Sequence, residues 1–368
     1  MHYRSFTRGA GMLLCCAIGL LAVTSSAEAA FINLGPAGDF NVFTLGNLTS
    51  TNSDIEGRVA VGGNAQFSSY SIGNKAGTSS TNLIVGGNFV NQSGSVTGNV
   101  LVGGNVNWHN PTIQGNLAVN GNATFTGGGS ISGTVDVAGT YTAPGYFHAD
   151  SNNPATAFPF SFSEVADYLM AESDYLASLA ATGTSTTQYG TLTLDGSNVV
   201  GSTVIFNVAA ADLSAAHTLV IKAGAGVTVV VNVTGGTASM HNMGISFAGG
   251  VDRQHVVYNF ADATSITLGG IAVEGTILAP QATVNFSNGQ INGSLIVGHF
   301  TGGGESHNVL FQGTLPVPPP PTPNPNVPAG SPVVPEPGTF ALAAFGLAAF
   351  FGRAGLRRRR EAEKSNPI

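Results

Sequence analysis

Five short blocks repeat along the first half of the chain. Gly57-Arg-Val-Ala-Val-Gly-Gly-Asn64 aligns with Thr81-Asn-Leu-Ile-Val-Gly-Gly-Asn88, Gly98-Asn-Val-Leu-Val-Gly-Gly-Asn105, Gly115-Asn-Leu-Ala-Val-Asn-Gly-Asn122 and Gly133-Thr-Val-Asp-Val-Ala-Gly-Thr140. Their starts step by 24, 17, 17 and 18 residues, and Gly275-Thr-Ile-Leu-Ala and Gly293-Ser-Leu-Ile-Val again stand 18 apart. Units this short cannot bury a hydrophobic face alone, so they must stack. A period of 17 to 18 residues with glycine at the corners predicts one turn of a three-sided, right-handed β-solenoid, successive turns lying about 4.8 Å apart.

Alternation within the blocks supplies the core. Val59/Val61, Leu83/Val85, Val100/Val102, Leu117/Val119, Val135/Val137 and Leu295/Val297 stand two residues apart and share one face of a strand. Stacked, they form aliphatic columns inside the coil, with Arg58, Asn99, Asn116 and Ser294 facing out. Each buried Val or Leu is worth roughly 1.5 to 3 kcal/mol. Asn64, Asn88, Asn105 and Asn122 fall in register after the corner, a pattern expected of a structural amide ladder more than of a ligand-binding row. The seven extra residues of the first step are placed in a surface loop around Gly73 to Ser80.

Regularity breaks after Pro144. Ser161-Phe-Ser-Glu164 reads as a capping box, and Val165, Leu169, Leu176 and Leu179 continue at helical spacing to Gly183, predicting one amphipathic α-helix over about 161–182. Its apolar stripe faces the solenoid, and Asp167, Glu172 and Asp174 face solvent. Strands resume in Thr191-Leu-Thr-Leu and Ser202 to Val208. The nearly continuous apolar runs Thr218-Leu-Val-Ile and Val227 to Val233 suit strands covered on both faces. Pro316 to Pro335 is a stiff spacer of polyproline II character.

Both termini read as addresses. Arg4 and Arg8, the apolar run Met12 to Val23 and the small residues Ala27, Ala29 and Ala30 form a secretory signal peptide over 1–30, cleaved by signal peptidase after Ala29 or Ala30. Cys15 and Cys16 leave with it, so the mature chain carries no thiol and no cysteine metal site. At the other end, Val334-Pro335-Glu336-Pro337-Gly338 precedes an apolar run Phe340 to Gly352, then Arg353 and Arg357, Arg358, Arg359 and Arg360. As a helix that run reaches roughly 20 Å, short of the about 30 Å hydrocarbon core. The arginines hold the tail 361–368 in the cytoplasm. These residues resemble the PEP-CTERM sorting signal, 334–360. The resemblance implies exosortase as partner, cleavage near Pro335 to Pro337, and delivery across the inner membrane to the cell surface or medium.

With both ends removed, residues 31–337 keep Arg58, Lys75, Lys222 and Arg253 against sixteen acidic residues, a net charge of 4 − 16 = −12. Nucleic acid is excluded as a partner, because that binding rests on many Lys and Arg contacts to phosphate. Neutral glycan, divalent cations and protein surfaces stay open.

Phe40-Asn-Val-Phe-Thr-Leu-Gly-Asn-Leu48, Asp54 to Asn64, Phe206 to Leu213, Gly275 to Val284 and Ile291-Asn-Gly-Ser-Leu295 together resemble the choice-of-anchor A family of bacterial surface proteins. The domain then covers 31–312, with a Pro-rich linker over 313–333. The closing blocks also look like bacterial ice-binding proteins of the discontinuous β-solenoid type, in which a long helix lies along the coil.

Candidate chemistry is sparse. Asp54 and Glu56 place two carboxylates on one strand face with Arg58 beside them, a cation or sugar site or a solvated ion group. His299 and His307 flank Gly302-Gly-Gly-Glu305 and are usable metal ligands. Trp108 falls in the inward register with Phe125, and His109 points outward. Thr124/Thr126 and Thr140/Thr142 give two rungs of the Thr-x-Thr face an ice binder needs, interrupted at Val106-Asn107-Trp108 and Asn285-Phe286-Ser287. No catalytic residue, metal site or cofactor is expected. The sequence predicts a non-enzymatic surface or matrix protein, structural or adhesive in exopolysaccharide, with polysaccharide or surface proteins as partners. Ice binding and carbohydrate-active chemistry are the alternatives.

Overall fold

The computed structural model describes residues 31–152 and 157–318. The signal peptide and its cleavage residues, the sorting signal and the cytoplasmic tail lie outside the described residues, as does all but the start of the Pro-rich spacer.

The chain begins its coil in the middle of the solenoid. Strand Val42–Thr44 pairs in parallel with Val59–Val61 on one side and with Leu295–Gly302, from the far end of the sequence, on the other. From this first turn the chain coils outward through Thr81–Val85, Asn99–Val102 and Leu117–Val119 to Val135–Val137. It then passes through helix α1, Phe162–Ser178, and resumes at the opposite end with Thr203–Ala209. Thr228–Thr234, Val256–Asn259 and Thr276–Phe286 carry it back to Leu295–Gly302, closing against the first turn. The result is a discontinuous β-solenoid with one long helix packed alongside, as expected. Two half-coils meet at a seam.

The predicted inward columns are buried. Val59, Val61, Leu83, Val85, Leu117 and Leu295 have no exposed surface, and each pairs with its counterpart one turn away. The outward residues of the same strands form a second apolar column two rows wide, all buried: Ile205, Val230 and Val257 pair in one row, and Leu278, Ile296, Phe43, Ala60 and Ile84 in the other, in register with Asn259. Val165, Leu169 and Leu176 of α1 cover this column, and Phe160 and Phe162 extend the cover onto Phe43. This explains the nearly continuous apolar run at Thr228–Thr234, whose inner face meets the core and outer face meets α1. Thr218–Lys222 departs from that expectation. It alternates, because no helix covers it.

α1 starts at the predicted cap, where Ser161 Oγ accepts from the Glu164 N–H. It ends at Ser178, short of the expected 182. Leu179 turns extended, and amides of the sheet bond carbonyls along the last turns of the helix and its cap: Asn259 Nδ2 donates to Ser173 O, Asn232 Nδ2 to Leu176 O and Asn207 Nδ2 to Leu179 O. These three asparagines form a ladder, Asn259 Nδ2 to Asn232 Oδ1 at 2.9 Å and Asn232 Nδ2 to Asn207 Oδ1 at 3.1 Å. Asp167 and Asp174 face solvent as read, but Glu172 is buried, 3% exposed. It shares a helix stripe with Tyr168 and Tyr175, whose hydroxyls bond Asn33 O and Val317 O, so the two terminal segments lie over that side of the helix. Burial pushes the Glu172 carboxyl up to about 7.

Ser294 is also buried instead of facing out. Asn99 and Asn116 do line the outside, where each accepts from a backbone N–H one turn on, that of Asn116 and of Thr134 respectively. Thr191–Asp195, Thr218–Lys222 and Gly244–Ala248 stack in parallel as another face of the second half, and at its end Thr184–Gln188 pairs antiparallel with Thr191–Asp195. Every residue of that edge strand is exposed and polar, which blunts it against further pairing. Among the described residues no helix is long and apolar enough to cross a membrane.

Candidate functional site: the open face

One long face of the solenoid carries no helix over most of its length. It is built by the strand segments that follow the Gly-Gly-Asn corners and by their counterparts in the second half. Alternate residues of these segments point inward. Leu48, Ala65, Phe89, Val106 and Ala123 form one buried column, continued by Phe300, Val284 and Ile266 across the seam.

The residue after each of these points outward, giving an unbroken row. In the second half it runs Ser239, Thr267, Asn285, Thr301. Across the seam Thr301 pairs with Thr49, and the row continues through Gln66, Val90, Asn107, Thr124 and Thr142. A flanking row on one side holds Thr237, Ser265, Thr283 and His299. On the other side run Thr51, Ser68, Gln92, His109 and Thr126. Rows repeat about 4.8 Å apart across strands, and neighbouring outward side chains stand about 6.7 Å apart along them. None of these residues is Lys, Arg, Asp or Glu. Val106, Trp108 and Phe286 point into the core, and the outward positions beside them are Asn107, His109 and Asn285, so the Thr-x-Thr pattern is interrupted there as expected while the row stays polar and uncharged.

The corner asparagines form the expected structural ladder. Asn47 Oδ1 accepts from Asn64 N–H, Asn64 from Asn88, Asn88 from Asn105, Asn105 from Asn122 and Asn122 from Thr140, at 2.7 to 2.9 Å. His299 is the member at the seam: its Nδ1 accepts the Asn47 N–H at 2.9 Å. Fixing each Oδ1 inside the ladder holds the corner rigid and turns the Nδ2 donors outward. Glycine is required at these corners, since a Cβ on Gly87 or Gly104 would meet the Asn and Gly of the neighbouring turn at 2.6 to 2.8 Å.

The other sequence candidates scatter. Trp108 is fully buried, edge-on to Phe89 at 5.2 Å. Arg58 stacks over Phe40 at 4.3 Å and donates to Thr81 O. Asp54 accepts from Asn74 Nδ2. Glu56, 7% exposed, turns away from both to pair with Lys75 and accept the Asn308 N–H at 3.0 Å. Burial raises its carboxyl, but Lys75, the Asn308 N–H and His307 outweigh that and hold it below the usual carboxylate range. Glu305 and His307 join Glu56 at the seam, whereas His299 belongs to the ladder. A cleft of about 340 Å³ at the end of the first half, between Ile131, Val135, Tyr146 and Asp150, holds one carboxylate. Asp150 spends it on the Val135 N–H at 2.7 Å, leaving no acid pair there for hydrolytic chemistry.

Residues 33–308 match the family described as an ice-binding-like adhesive domain, and residues 333–360 match the PEP-CTERM protein-sorting motif. Among solved structures, the ice-binding protein of the Antarctic ascomycete Antarctomyces psychrotrophicus is similar at 14% identity, covering 77% of this chain and 100% of its own, with a TM-score of 0.32. An ice-binding protein from an Antarctic bacterium of the Flavobacteriaceae is similar at 14% identity, covering 77% of this chain and 99% of its own, with a TM-score of 0.28. Comparison with curated proteins gives no match. The family match is to adhesive domains and not to a catalytic family, so the role is non-enzymatic. The sorting motif marks the chain for secretion and exosortase-mediated delivery to the cell surface.

Proposed function

Because this chain belongs to the family of ice-binding-like adhesive domains, we propose that it is a surface adhesin whose open face docks on an extended, uncharged, hydrated lattice, with ice as the ligand. The observation that carries this reading is the continuous outward row from Ser239 to Thr142, running across the seam with no charged member. A single hydroxyl or amide contributes little to binding. A rigid grid of them engages in parallel, and a backbone already fixed by the ladders loses little further freedom on contact. Water bridges between hydroxyls and the lattice are nearly as favourable as direct bonds.

A second reading, adhesion within exopolysaccharide, is supported by the amide-rich stretch Gln66, Gln92 and Asn107, whose paired donors and acceptors suit sugar hydroxyls. The resemblance to choice-of-anchor A proteins and the Pro-rich sequence between the domain and the sorting motif fit either reading.

Ice-affinity partitioning of the secreted protein, with polysaccharide co-sedimentation run in parallel, separates the two. The ice reading expects the protein to concentrate in the growing ice phase and to slow recrystallisation. Retention in the liquid fraction together with sedimentation on the strain's own polysaccharide would replace it with the matrix reading.

A further inference from the structure

We propose that Glu56, Glu305 and His307 form a divalent-metal site of the zinc class, clasping the last turn of the solenoid to its first. Glu56 follows the first-turn strand Leu48–Ile55, and Glu305–Ser306 is the last strand, Ser306 pairing with Ile55 across the seam. One ligand atom from each of the three residues lies within 4.8 Å of the others. Glu305 and His307 stand two residues apart on the last turn and Glu56 lies about 250 residues before them, so only closure of the coil assembles the set.

The orientation of His307 is fixed from behind. Asn292 Nδ2 donates to Glu274 Oε1 at 2.8 Å, which turns Asn292 Oδ1 toward the ring, 2.6 Å from His307 Nδ1. Glu274 is itself held by Arg253 at 2.8 Å. The imidazole therefore keeps a proton on Nδ1 and aims Nε2 at Glu305 Oε1, 3.1 Å away. A histidine whose second nitrogen is pinned by an outer acceptor is the usual arrangement around a bound metal. Asn41, fully buried, donates to His307 O at 2.7 Å and leaves its own Oδ1 without a protein partner, so this polar knot holds an unmet acceptor.

One imidazole and two carboxylates match zinc, which takes nitrogen and oxygen ligands and completes its sphere with water. Calcium asks for six to eight oxygens and is a poor fit. Lys75 pairs with Glu56 from the exposed loop after Gly73, and its ammonium stands where a cation would compete for that carboxylate. Lysine and metal are then alternative partners. The site would hold the two half-coils together independently of what the open face binds.

The test uses the full secreted protein, stripped with chelator and titrated with Zn²⁺ and, separately, Ca²⁺, by calorimetry and thermal unfolding. One Zn²⁺ per chain with a raised melting temperature, and no shift with Ca²⁺ at equal concentration, is the expected result. Asn292→Ala should weaken Zn²⁺ binding about 10- to 100-fold by freeing the imidazole. Lys75→Met should tighten it. His307→Gln should abolish it, and if that variant fails to fold, the opposite shifts of the Asn292 and Lys75 variants still decide. No Zn²⁺ binding, or binding unchanged in all three variants, would overturn the proposal. Loss of ice affinity with the Zn²⁺ response intact would count against the open-face reading alone.

Discussion

The two half-coils build the same face by different means. In the first half, turns follow one another at 17 or 18 residues, apart from one 24-residue step that carries the loop after Gly73, and the corners from Asn47 to Asn122 are each locked by an asparagine whose Oδ1 takes the next turn's N–H. In the second half no such corner ladder forms among the described residues. Its turns carry excursions such as α2, Ala210–Ala215, and its amide ladder, Asn207, Asn232 and Asn259, lies on the helix-covered face, under α1. Yet the outward row crosses the seam without a break. The chemistry shifts along it, from Ser, Thr and Asn in the second half to Gln, Val and Asn in the middle of the first. A regular surface thus needs regular register between strands and does not need a regular period in sequence.

The largest effects should come from the shared core and not distinguish the halves. Phe89→Ala and Phe286→Ala, both from fully buried sites, should each cost about 3–5 kcal/mol in chemical denaturation. A much smaller loss in one would show that its half is loosely packed.

Asn232→Ala sharpens the contrast next. It removes the donor to Leu176 O and the acceptor for Asn259, both buried, and should cost about 1–3 kcal/mol. Hydrogen exchange should rise in Phe162–Ser178 and stay unchanged in the first-half ladder. Asn105→Ala, at an exposed corner, should cost about 0.5–1.5 kcal/mol and leave α1 protected.

Glu172 gives a pH signature to the helix-covered side. Its folded carboxyl titrates at about 7 against 4.5 unperturbed, because burial disfavours the charged form. The protonated form is the one the fold accepts, so stability is fully present below pH 4.5 and is lost as pH rises through about 7. Glu172→Gln should flatten that decline and exceed the parent at pH 8 by an amount on the order of 1 kcal/mol. A parent protein with no decline between pH 5 and 8 would contradict this. The smallest effect belongs to the open face, where Thr267→Val should change stability by less than about 0.5 kcal/mol.

The first half was largely legible in sequence because Gly-Gly-Asn corners mark each turn, and Val59/Val61 or Leu83/Val85 reveal which side is in. The second half of the face was not. The hydroxyls at 237, 265, 283 and the ring at 299 stand 28, 18 and 16 residues apart, so no fixed period aligns them and only strand pairing does. Trp108 was legible, since its inward register with Phe125 follows from the alternation and both are buried. Glu172 was misplaced: the helix stripe assigns it to solvent, but residues near 33 and 317 fold over that side. The Glu56, Glu305 and His307 cluster joins residues about 250 apart, and only Glu305 and His307 carried a local cue. The ladder under α1 did leave a signal, an asparagine between apolar neighbours at 207, 232 and 259, visible once its function is known.

The most direct test of the open face is a matched pair of bulky substitutions measured for ice affinity. Thr267→Tyr stands in the hydroxyl-rich half and Gln66→Tyr in the amide-rich half, on the same row and with neither side chain in the core. The account predicts that Thr267→Tyr abolishes uptake into ice while the variant stays folded, and that Gln66→Tyr reduces it less. Undiminished uptake by Thr267→Tyr would contradict the assignment of this face.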